Sequence, residues 1–235
     1  MTTLGFLTWN LALMKRSAAA PHSWGTEHSE SAFRDTVLDL SPDIILLQEL
    51  PGLVPFVETH AMIRANPKSH SGHLATLVKH ELVSDEPHVN VVAGCAILTT
   101  FDDLTVANVH LAPGTGKRAE AVRLEQFARI VEASPTPGIL VVGDTNTRIG
   151  ELSTLESAQL HAPPLPSPTW DSRINQFNSG RSATEFRAYF TRCFTSPGVT
   201  VSDLAVLDTP IEFDGHRFHL SDHFGLAGRV NTKRV

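Results

Sequence analysis

The sequence predicts an α/β fold in which two mixed β-sheets pack together with helices outside, as a four-layer α/β/β/α sandwich. Two observations favour it: short apolar runs typical of buried strands recur along the chain, and segments of helical periodicity lie between them. A third is that neither an internal repeat nor an inter-domain linker is visible, and 41% hydrophobic residues among 235 suffice for a substantial core. We therefore expect one domain over residues 1–235.

Two segments have helical spacing. The first contains Phe33, Val37, Leu38 and Leu40 and is ended by Ser41-Pro42-Asp43. The second runs from about Lys117 to Ala133 and ends before Ser134-Pro135. Its predicted buried face consists of Ala121, Leu124, Phe127, Ala128 and Val131. The apolar runs predict strands at Leu4–Trp9, Ile44–Gln48, Leu74–Lys79, Val91–Thr100, Leu104–Leu111, Gly138–Val142, Phe186–Thr195, Val199–Leu207 and Phe224–Val230.

Composition excludes several classes of protein. No run of 18 apolar residues is present, so we expect no membrane span, and we see no signal peptide. Cys95 and Cys193 are the only cysteines and have no zinc-binding spacing, which favours free thiols in a reducing cytoplasm over a disulfide. The net charge of −6 argues against tight non-specific binding of long duplex DNA. We expect a monomer.

Five short polar blocks border apolar runs, at predicted strand ends. They are Thr8-Trp9-Asn10, Gln48-Glu49, Asn108-Val109-His110, Gly143-Asp144-Thr145-Asn146 and Leu220-Ser221-Asp222-His223. Ligands of open α/β sheets bind at the carboxyl ends of strands. Glu, Asp, Asn and His at those ends are suited to hold a hard divalent cation against a phosphate.

Three of these residues allow a chemical interpretation on their own. Glu49 ends an apolar strand, so its carboxylate is either a metal ligand or a solvated strand end. Asp144 and Asn146 are two apart, and in an extended segment they would face one side. The carboxylate could then deprotonate a water while the amide donates to a phosphoryl oxygen. The alternative is an Asx turn.

One basic patch is visible in an otherwise acidic chain. It comprises Arg173, Arg181, Arg187 and Arg192, with only Glu185 opposing them inside that span. It is either a phosphate-contacting face or a solvated surface segment.

The order of the polar blocks, together with Thr169-Trp170-Asp171, resembles the endonuclease/exonuclease/phosphatase superfamily typified by pancreatic DNase. Within it, the chain is most similar to the tyrosyl-DNA phosphodiesterase 2 branch, which cleaves 5′ linkages. The resemblance covers nearly the whole chain. It implies a phosphodiesterase dependent on Mg²⁺ or Mn²⁺, in which water attacks phosphorus in line without a covalent intermediate.

The resemblance also implies roles for individual residues. Glu49 would be a principal metal ligand, with Asp222 on the metal side. Asn10 would bind the metal, its water shell or a phosphate oxygen. Asp144 and Asn146 would take the roles given above. His223 and His110 would contact the phosphate, with His223 acting as imidazolium. Trp170 would stack on a base or an aromatic leaving group, or else fill the core edge, and Arg173 and Arg181 are candidate substrate-binding residues.

Two departures from the family pattern stand out. No acidic residue occurs between Asn10 and Lys15, which implies weaker metal affinity or an ion that keeps more waters. Thr191 stands where the family has the Asp that orients the catalytic imidazole. A hydroxyl cannot stabilise the imidazolium as a carboxylate does, so we expect slower catalysis or a substitute partner such as Asp203 or Asp171.

Three functions remain open at this stage. The first is a phosphodiesterase of nucleic-acid ends or 5′-phosphotyrosyl adducts, and the second is the same chemistry on a small phosphoester such as a nucleotide or phospholipid headgroup. The third is a weakened homologue that binds phosphorylated ligands without turnover. Specificity is expected in the loops Lys15–His28, His60–His73 and Pro163–Arg181. The pairs His70/His73 and His216/His219 have no third zinc ligand at suitable spacing and are interpreted as surface residues.

Overall fold

A computed structural model describes residues 3–51, 57–69, 72–83, 89–92, 94–178 and 185–232. Its helices are α1 (Thr26–Leu40), α2 (Lys117–Glu132) and α3 (Leu152–Ser157), with short 3₁₀ segments at Ala12–Met14, His80–Leu82 and Ile149–Glu151. The first eight strands are β1 (Thr3–Asn10), β2 (Ile44–Leu50), β3 (His60–Ser69), β4 (Gly72–Lys79), β5 (Val89–Val92), β6 (Ala96–Phe101), β7 (Leu104–His110) and β8 (Gly138–Asp144). They are followed by β9 (Trp170–Asp171), β10 (Arg187–Ala188), β11 (Thr191–Thr195), β12 (Val199–Leu207), β13 (Ile211–Phe213), β14 (His216–Phe218) and β15 (Gly225–Thr232).

Most of the strands form two mixed sheets. The first has six strands in the order β12-β15-β1-β2-β4-β3, and the second has five in the order β11-β8-β7-β6-β5. Each contains one parallel pair, β1 with β2 and β7 with β8, among antiparallel neighbours. The predicted pair of mixed sheets is thus confirmed.

Three hydrophobic clusters separate the four layers. One lies between the sheets and includes Phe6, Leu46, Val106 and Leu140. A second joins α1 to the outer face of the six-stranded sheet, and the third joins α2 and α3 to the outer face of the five-stranded sheet. This explains why β1, β2, β7 and β8 read as continuous apolar runs, since both faces of each strand are covered.

Several elements differ from the sequence-based prediction. The strand predicted at Val91–Thr100 is two strands, β5 and β6, and that predicted at Phe186–Thr195 is β10 and β11. The buried residues of α2 are Arg123, Phe127 and Ile130, whereas Val131 is exposed. The apolar pattern misplaced this face because a buried arginine does not count as apolar. The predicted loop His60–His73 is largely strand.

Cys95 and Cys193 are free and buried, which confirms the absence of a disulfide. Burial raises the pKa of Cys95 to about 11 and that of Cys193 to about 12, so both are neutral thiols near pH 7. In the part of the chain described, no helix is both long and apolar enough to cross a membrane.

Candidate active site

The two parallel strand pairs bring four polar strand ends to one edge of the molecule. In the first sheet Asn10 pairs in register with Gln48, and in the second His110 pairs with Asp144. Because the two sheets pack face to face, these ends converge from both sides. Strand register within each sheet and the packing of the two sheets therefore bring a carboxylate, an amide and an imidazole together.

A carboxylate of the second sheet lies at the centre of the cluster. Asp144 Oδ2 accepts a hydrogen bond from Asn10 Nδ2 at 2.9 Å and lies 3.5 Å from His110 Nε2 and 3.7 Å from His223 Nε2. Glu49 Oε1 completes the group, 3.1 Å from Asn10 Nδ2 and 3.7 Å from His110 Nε2. Asp144 Oδ1 is buried and has no hydrogen-bond partner among the residues described.

Asn10 joins the two carboxylates. Its Oδ1 accepts the backbone N–H of Ala12 at 3.0 Å, which turns the amide nitrogen toward both Glu49 and Asp144. The turn that donates this hydrogen bond, Ala12–Met14, has positive φ at all three residues, a conformation that L-residues adopt at an energetic cost. Strained backbone thus orients the amide, and the nitrogen, which cannot bind a metal, faces the carboxylates.

Two predicted site residues occupy left-handed backbone conformations. Glu49 has φ 52° and lies where the pairing of β2 with β4 shifts register between Leu47 and Leu50. Such a bulge redirects a side chain that would otherwise follow strand alternation. Asn146 also has φ 52°, so the expectation that Asp144 and Asn146 share a face of an extended segment is wrong. Asn146 instead donates to the Leu111 carbonyl at 3.2 Å.

Gly143 permits the close approach of β8 to β7 next to the site. A Cβ at this position would lie 2.3 Å from the Val109 carbonyl oxygen, and its φ of +144° also disfavours a side chain. Glycine is therefore required at this position of the Gly-Asp-Thr-Asn block for steric reasons. It permits the short distance between the strands that end in His110 and Asp144.

His223 is held mainly through its backbone. Its carbonyl accepts the Trp9 indole N–H at 3.0 Å, and its N–H donates to Ser221 Oγ at 3.1 Å. Ser221 Oγ in turn donates to the Asn10 carbonyl at 2.6 Å, which ties this loop to β1. The imidazole ring meets Trp170 edge-on with centroids 4.9 Å apart.

The ring nitrogen Nδ1 of His223 faces Thr191 Oγ1 at 3.4 Å. The sequence correctly predicted that Thr191 stands beside the imidazole, but the substitute acids do not reach it. Asp171 is bound by Arg173 and Arg187 at 2.7 and 3.0 Å, while Asp203 is exposed near Arg229. The expectation of a replacement carboxylate is therefore wrong, because both candidates are committed elsewhere.

Asp222 is not among the described residues that contact Asp144, but it lies near Glu49. Its Oδ2 accepts from Asn178 Nδ2 at 2.9 Å, and it lines a cavity of about 290 Å³ that Glu49 also lines. Asp222 and His223 have different partners, so Asp222 does not orient the imidazole, as expected, although residues 220–223 form a bend rather than the extended segment assumed.

The predicted substrate-binding residues are only partly at the site. Trp170 packs on His223 and Phe190 and is half-buried, so the structure shows both a core contact and an accessible ring. Arg173 is bound to Asp171, as is Arg187, and Arg192 donates to the Tyr189 carbonyl. Arg181 lies outside the described residues. Arg173 and Arg187 therefore share one carboxylate, which offsets their positive charge only in part.

The sequence-based prediction missed three features of the site. Arg123 of α2 is fully buried, donates to Glu151 Oε2 at 2.9 Å and also to the carbonyls of Ala112 and Gly114. It thereby ties the segment after His110 to the segment after Asp144. An arginine between apolar positions of α2 was the only signal in the sequence.

Arg148 is the second feature. Its guanidinium lies 4.3 Å from the Phe190 ring centroid, and its buried Nε has no partner among the described residues. Burial and Arg123 lower the pKa of Arg148, against the raising effects of Glu151 and Asp144. In the sequence, the only indication that Arg148 lies near the site was its position two residues after Asn146.

The third feature is a buried amide pair between the sheets. Gln48 Nε2 donates to Asn108 Oδ1 at 2.8 Å, and Asn108 Nδ2 donates to the Ala75 carbonyl at 2.9 Å. Both residues are fully buried and stand just before the strand ends. Such a pair fixes the relative position of the two sheets, because slippage would leave the amides unpaired.

The two histidine pairs were interpreted as surface residues, which is wrong for His219. This residue is buried beneath Phe224, and its Nε2 lies 3.0 Å from the Asp208 carbonyl. His216 is exposed as expected, His73 is half-buried, and His70 lies outside the described residues.

The donor set fits a divalent cation. One ligand atom from each of Glu49, His110 and Asp144 lies within 4.8 Å of the others. The unpartnered Asp144 Oδ1 is an additional buried acceptor that a cation or a metal-bound water would satisfy. Carboxylate oxygens are preferred by Mg²⁺ and Mn²⁺.

Two packed mixed sheets with such a cluster at their common edge define a class of metal-dependent hydrolases of phosphoester bonds. Residues 7–223 match the sequence profile of the Endonuclease/Exonuclease/phosphatase family. The chain belongs to this family, whose enzymes use divalent metals to hydrolyse phosphoesters. A comparison with curated protein sequences gave no significant match.

Solved structures of similar fold cover almost the whole chain. D. rerio TDP2 complexed with a single-strand DNA product has a TM-score of 0.69 and 17% identity over 99% of this chain and 100% of that chain. Truncated Caenorhabditis elegans TDP2 gives 0.68 and 17% over 97% of each chain. An endonuclease/exonuclease/phosphatase from Bacteroides vulgatus gives 0.67 and 13% over 99% and 100%. At these identities the likeness shows a shared fold.

Proposed function

We propose that this chain hydrolyses phosphodiester bonds at nucleic-acid ends, 5′-phosphotyrosyl adducts among them, with Mg²⁺ or Mn²⁺. The observation that carries the proposal is the convergence of Asn10, Glu49, His110, Asp144 and His223 on one point at the sheet edge. The DNA product held by the structurally similar D. rerio TDP2 supports the substrate class. The single domain, the monomer and the cytoplasmic location stay predictions.

Asp144 is the proposed base. Its Oδ2 is held by the Asn10 amide, which leaves Oδ1 free to orient a water and take its proton. Asn146 lies in the same loop, and its amide is the proposed donor to a phosphoryl oxygen. In this structure that amide donates to the Leu111 carbonyl, so the role requires a second donation from its other N–H.

The two imidazoles approach Asp144 from different elements. His110 ends β7 and His223 lies in the loop before β15, with each Nε2 within 3.7 Å of Asp144 Oδ2. A phosphate beside the two rings would accept a hydrogen bond from each, and an imidazolium at His223 would offset charge that develops on phosphorus.

Glu49, with Asp144 beside it, would hold the cation, which would neutralise the non-bridging oxygens of the phosphate. Asn10 is proposed to position Glu49 and Asp144 by its amide nitrogen rather than to bind the cation. Asp222 remains a proposed residue of the metal side through the cavity that it shares with Glu49.

Trp170 and Arg148 are the proposed contacts with the remainder of the substrate. Trp170 presents part of its ring beside His223, where a base or a tyrosyl group would stack. Arg148 lies over Phe190, which itself packs against Trp170, so a cation and an aromatic surface meet next to the scissile position. Arg173, held by Asp171, would act as a rigid and partly neutralised contact.

A small phosphoester is the second candidate substrate, and one observation favours it. Asp171 binds both Arg173 and Arg187, so it holds two side chains of the basic patch seen in the sequence and offsets part of their charge. With a net charge of −6, the chain then offers little attraction for a long nucleic acid.

A substrate panel separates these candidates. A 5′-phosphotyrosyl oligonucleotide, an unmodified single strand, a nucleotide and a phosphoinositide headgroup are incubated with Mn²⁺ or Mg²⁺, with and without EDTA. EDTA-sensitive cleavage with the highest kcat/KM on the two oligonucleotides supports the proposal. Preference for the small esters supports the second candidate. Ligand binding without turnover under either metal contradicts both and indicates a weakened homologue.

A further inference from the structure

We propose that the cavity beside Glu49 is a subsite for a second phosphate of the substrate, bound by Lys15 and Arg16. The inference rests on the proposed function, because it concerns the same substrate one phosphate away from the scissile bond. It assigns a role to the first two residues of the loop Lys15–His28, where the sequence predicted specificity without naming the residues responsible.

The cavity has about 290 Å³, near the lower end of the roughly 300–1,000 Å³ typical of small-ligand sites. Lys15 and Arg16 line it together with Glu49, Asn178 and Asp222. Glu49 also belongs to the cation-binding cluster, so the cavity opens directly from the proposed reaction centre. A ligand that spans both places would have one phosphate at each.

The walls of the cavity are connected by hydrogen bonds and are preformed. The Ala18 N–H donates to the Phe177 carbonyl at 2.9 Å, which joins the basic segment to the opposite loop. Asn178 Nδ2 then donates to Asp222 Oδ2 at 2.9 Å, and Asn175 Nδ2 donates to the Ser221 carbonyl at 2.8 Å. Binding therefore does not require this part of the chain to be ordered first.

The cationic groups are available for a ligand. In the described part of the chain, neither Lys15 nor Arg16 forms an ion pair with a carboxylate, and both are exposed. Among the described residues, Arg16 contacts only the Ala20 carbonyl at 3.5 Å and His22 Nδ1 at 3.3 Å. By contrast, Arg173 and Arg187 are occupied by Asp171.

The charges of the lining residues make this subsite dependent on the cation. Lys15 and Arg16 balance Glu49 and Asp222, so the empty cavity has no net attraction for a phosphate. When a divalent cation neutralises Glu49, the balance becomes positive. The missing acid between Asn10 and Lys15 has the same consequence, because a carboxylate there would oppose a second phosphate.

The substrate class follows from two phosphates at neighbouring positions. A polynucleotide strand supplies them, and so does a dinucleoside pyrophosphate, whereas a phosphodiester with a single negative charge does not. The subsite therefore lowers KM for the first two classes and has no effect on the third.

The test compares the double variant K15Q/R16Q with R34Q/R129Q, which removes two exposed cations from α1 and α2 and so matches the change in net charge. Steady-state kinetics use a single-stranded oligonucleotide, a dinucleoside pyrophosphate and bis(4-nitrophenyl) phosphate, all with Mn²⁺. For K15Q/R16Q we expect KM to rise about tenfold on a two-phosphate substrate, as for loss of a charged hydrogen bond. KM for the small diester and the kinetics of R34Q/R129Q stay unchanged.

The pattern across substrates identifies the source of the second phosphate. An effect on the oligonucleotide alone supports a strand, and an effect on the pyrophosphate alone supports the smaller ligand. An equal effect on all three substrates, no effect on any, or the same effect in R34Q/R129Q overturns the subsite.

A binding experiment keeps this test separate from the proposed function. Fluorescence anisotropy of a labelled oligonucleotide, in the Asp144→Asn background with Mn²⁺, measures affinity without turnover. We expect K15Q/R16Q to lower the salt dependence of log K by about 0.7, the value for one lost contact to a single strand. An unchanged salt slope overturns the subsite, whereas absence of hydrolysis by the unmodified protein would contradict only the proposed function.

Discussion

The carboxylate side and the imidazole side of the site are built differently. On the carboxylate side, the Asn10 amide donates directly to Glu49 and Asp144 at 3.1 and 2.9 Å, and its own oxygen is fixed by a backbone N–H. On the imidazole side, His223 Nδ1 meets only the Thr191 hydroxyl, at 3.4 Å, and Nε2 lies 3.7 Å from Asp144 Oδ2, while the backbone of His223 is well held.

This difference indicates which part of the chemistry is preorganised. The acceptor groups for a cation and a water have their positions fixed by strand register and hydrogen bonds to charged groups, which are the stronger kind. The imidazole has its position fixed, but at Nδ1 it meets a hydroxyl rather than a carboxylate that would orient it and stabilise its protonated form. The carboxylate side should therefore tolerate change least, and the imidazole side should leave room for improvement.

The largest expected effect is at the carboxylate side. Asp144→Asn keeps the shape and removes the base, so we expect kcat to fall about 10³-fold, within the range for loss of general base catalysis. Steady-state kinetics on the best substrate of the panel measure it. Asp39→Asn, an exposed change on α1, is the control and should leave kcat unchanged. Activity of Asp144→Asn within a few-fold of the unmodified protein would show that the base lies elsewhere.

The second largest expected effect concerns the buried ion pair of Arg123 and Glu151, which supports both sides of the site. Arg123→Met leaves Glu151 buried without its partner, so we expect the free energy of unfolding to fall by about 3–5 kcal/mol. Urea unfolding measures it. Arg129→Met, an exposed position of the same helix, should change the value by less than about 0.5 kcal/mol. If the two variants lost equal stability, the buried ion pair would not be what holds the two loops.

On the imidazole side we expect a gain. Thr191→Asp places a carboxylate next to His223, so we expect kcat to rise about tenfold, in line with the effect of such supporting carboxylates. The added carboxylate stabilises the protonated imidazole, so the loss of activity on the alkaline side should move to higher pH. The pH profile of kcat measures both.

Thr191→Val is the matched control for that variant, because it keeps the shape and removes only the hydroxyl. It should lower kcat several-fold without moving the profile to higher pH. Unchanged turnover and an unchanged pH profile in a folded Thr191→Asp preparation would remove the idea that the missing acid limits catalysis.

The smallest expected effect is on the pH dependence of stability. Burial lowers the pKa of His60 and His219, against the raising effect of their backbone hydrogen bonds. There is therefore a pH range in which both histidines are neutral in the folded chain but already protonated in the unfolded chain. Stability should fall as pH drops below about 6.5, by up to about 1.4 kcal/mol per pH unit for each histidine. His60→Gln should flatten the curve of Tm against pH between 6.5 and 5. The same slope in both proteins would mean that His60 does not contribute.

The sequence predicted the sheets and the site edge well, for a physical reason. Strands buried on both faces read as apolar runs, and the polar residue that ends such a run marks the edge. Glu49, His110 and Asp144 were found in this way. Thr191 was placed beside His223 by the resemblance, because its strand has the same pattern as the family.

The remaining features depend on tertiary contacts that no local pattern encodes. Arg123 is buried because Glu151 and two carbonyls, distant in sequence, satisfy it. Asp171 is bound to Arg173 and Arg187, so it could neither replace the missing acid nor leave the basic patch free. Likewise, the backbone conformation of Asn146 follows from the turn after β8 rather than from strand alternation.

Titration of Mn²⁺ into the purified protein, followed by electron paramagnetic resonance of the free ion, tests the central claim most directly. The account predicts an ion bound by the unmodified protein and an affinity at least about tenfold lower in Glu49→Gln. The exposed change Glu58→Gln should leave that affinity as it was. No bound ion, or equal binding by Glu49→Gln and the unmodified protein, would contradict a metal centre at this edge of the sheets.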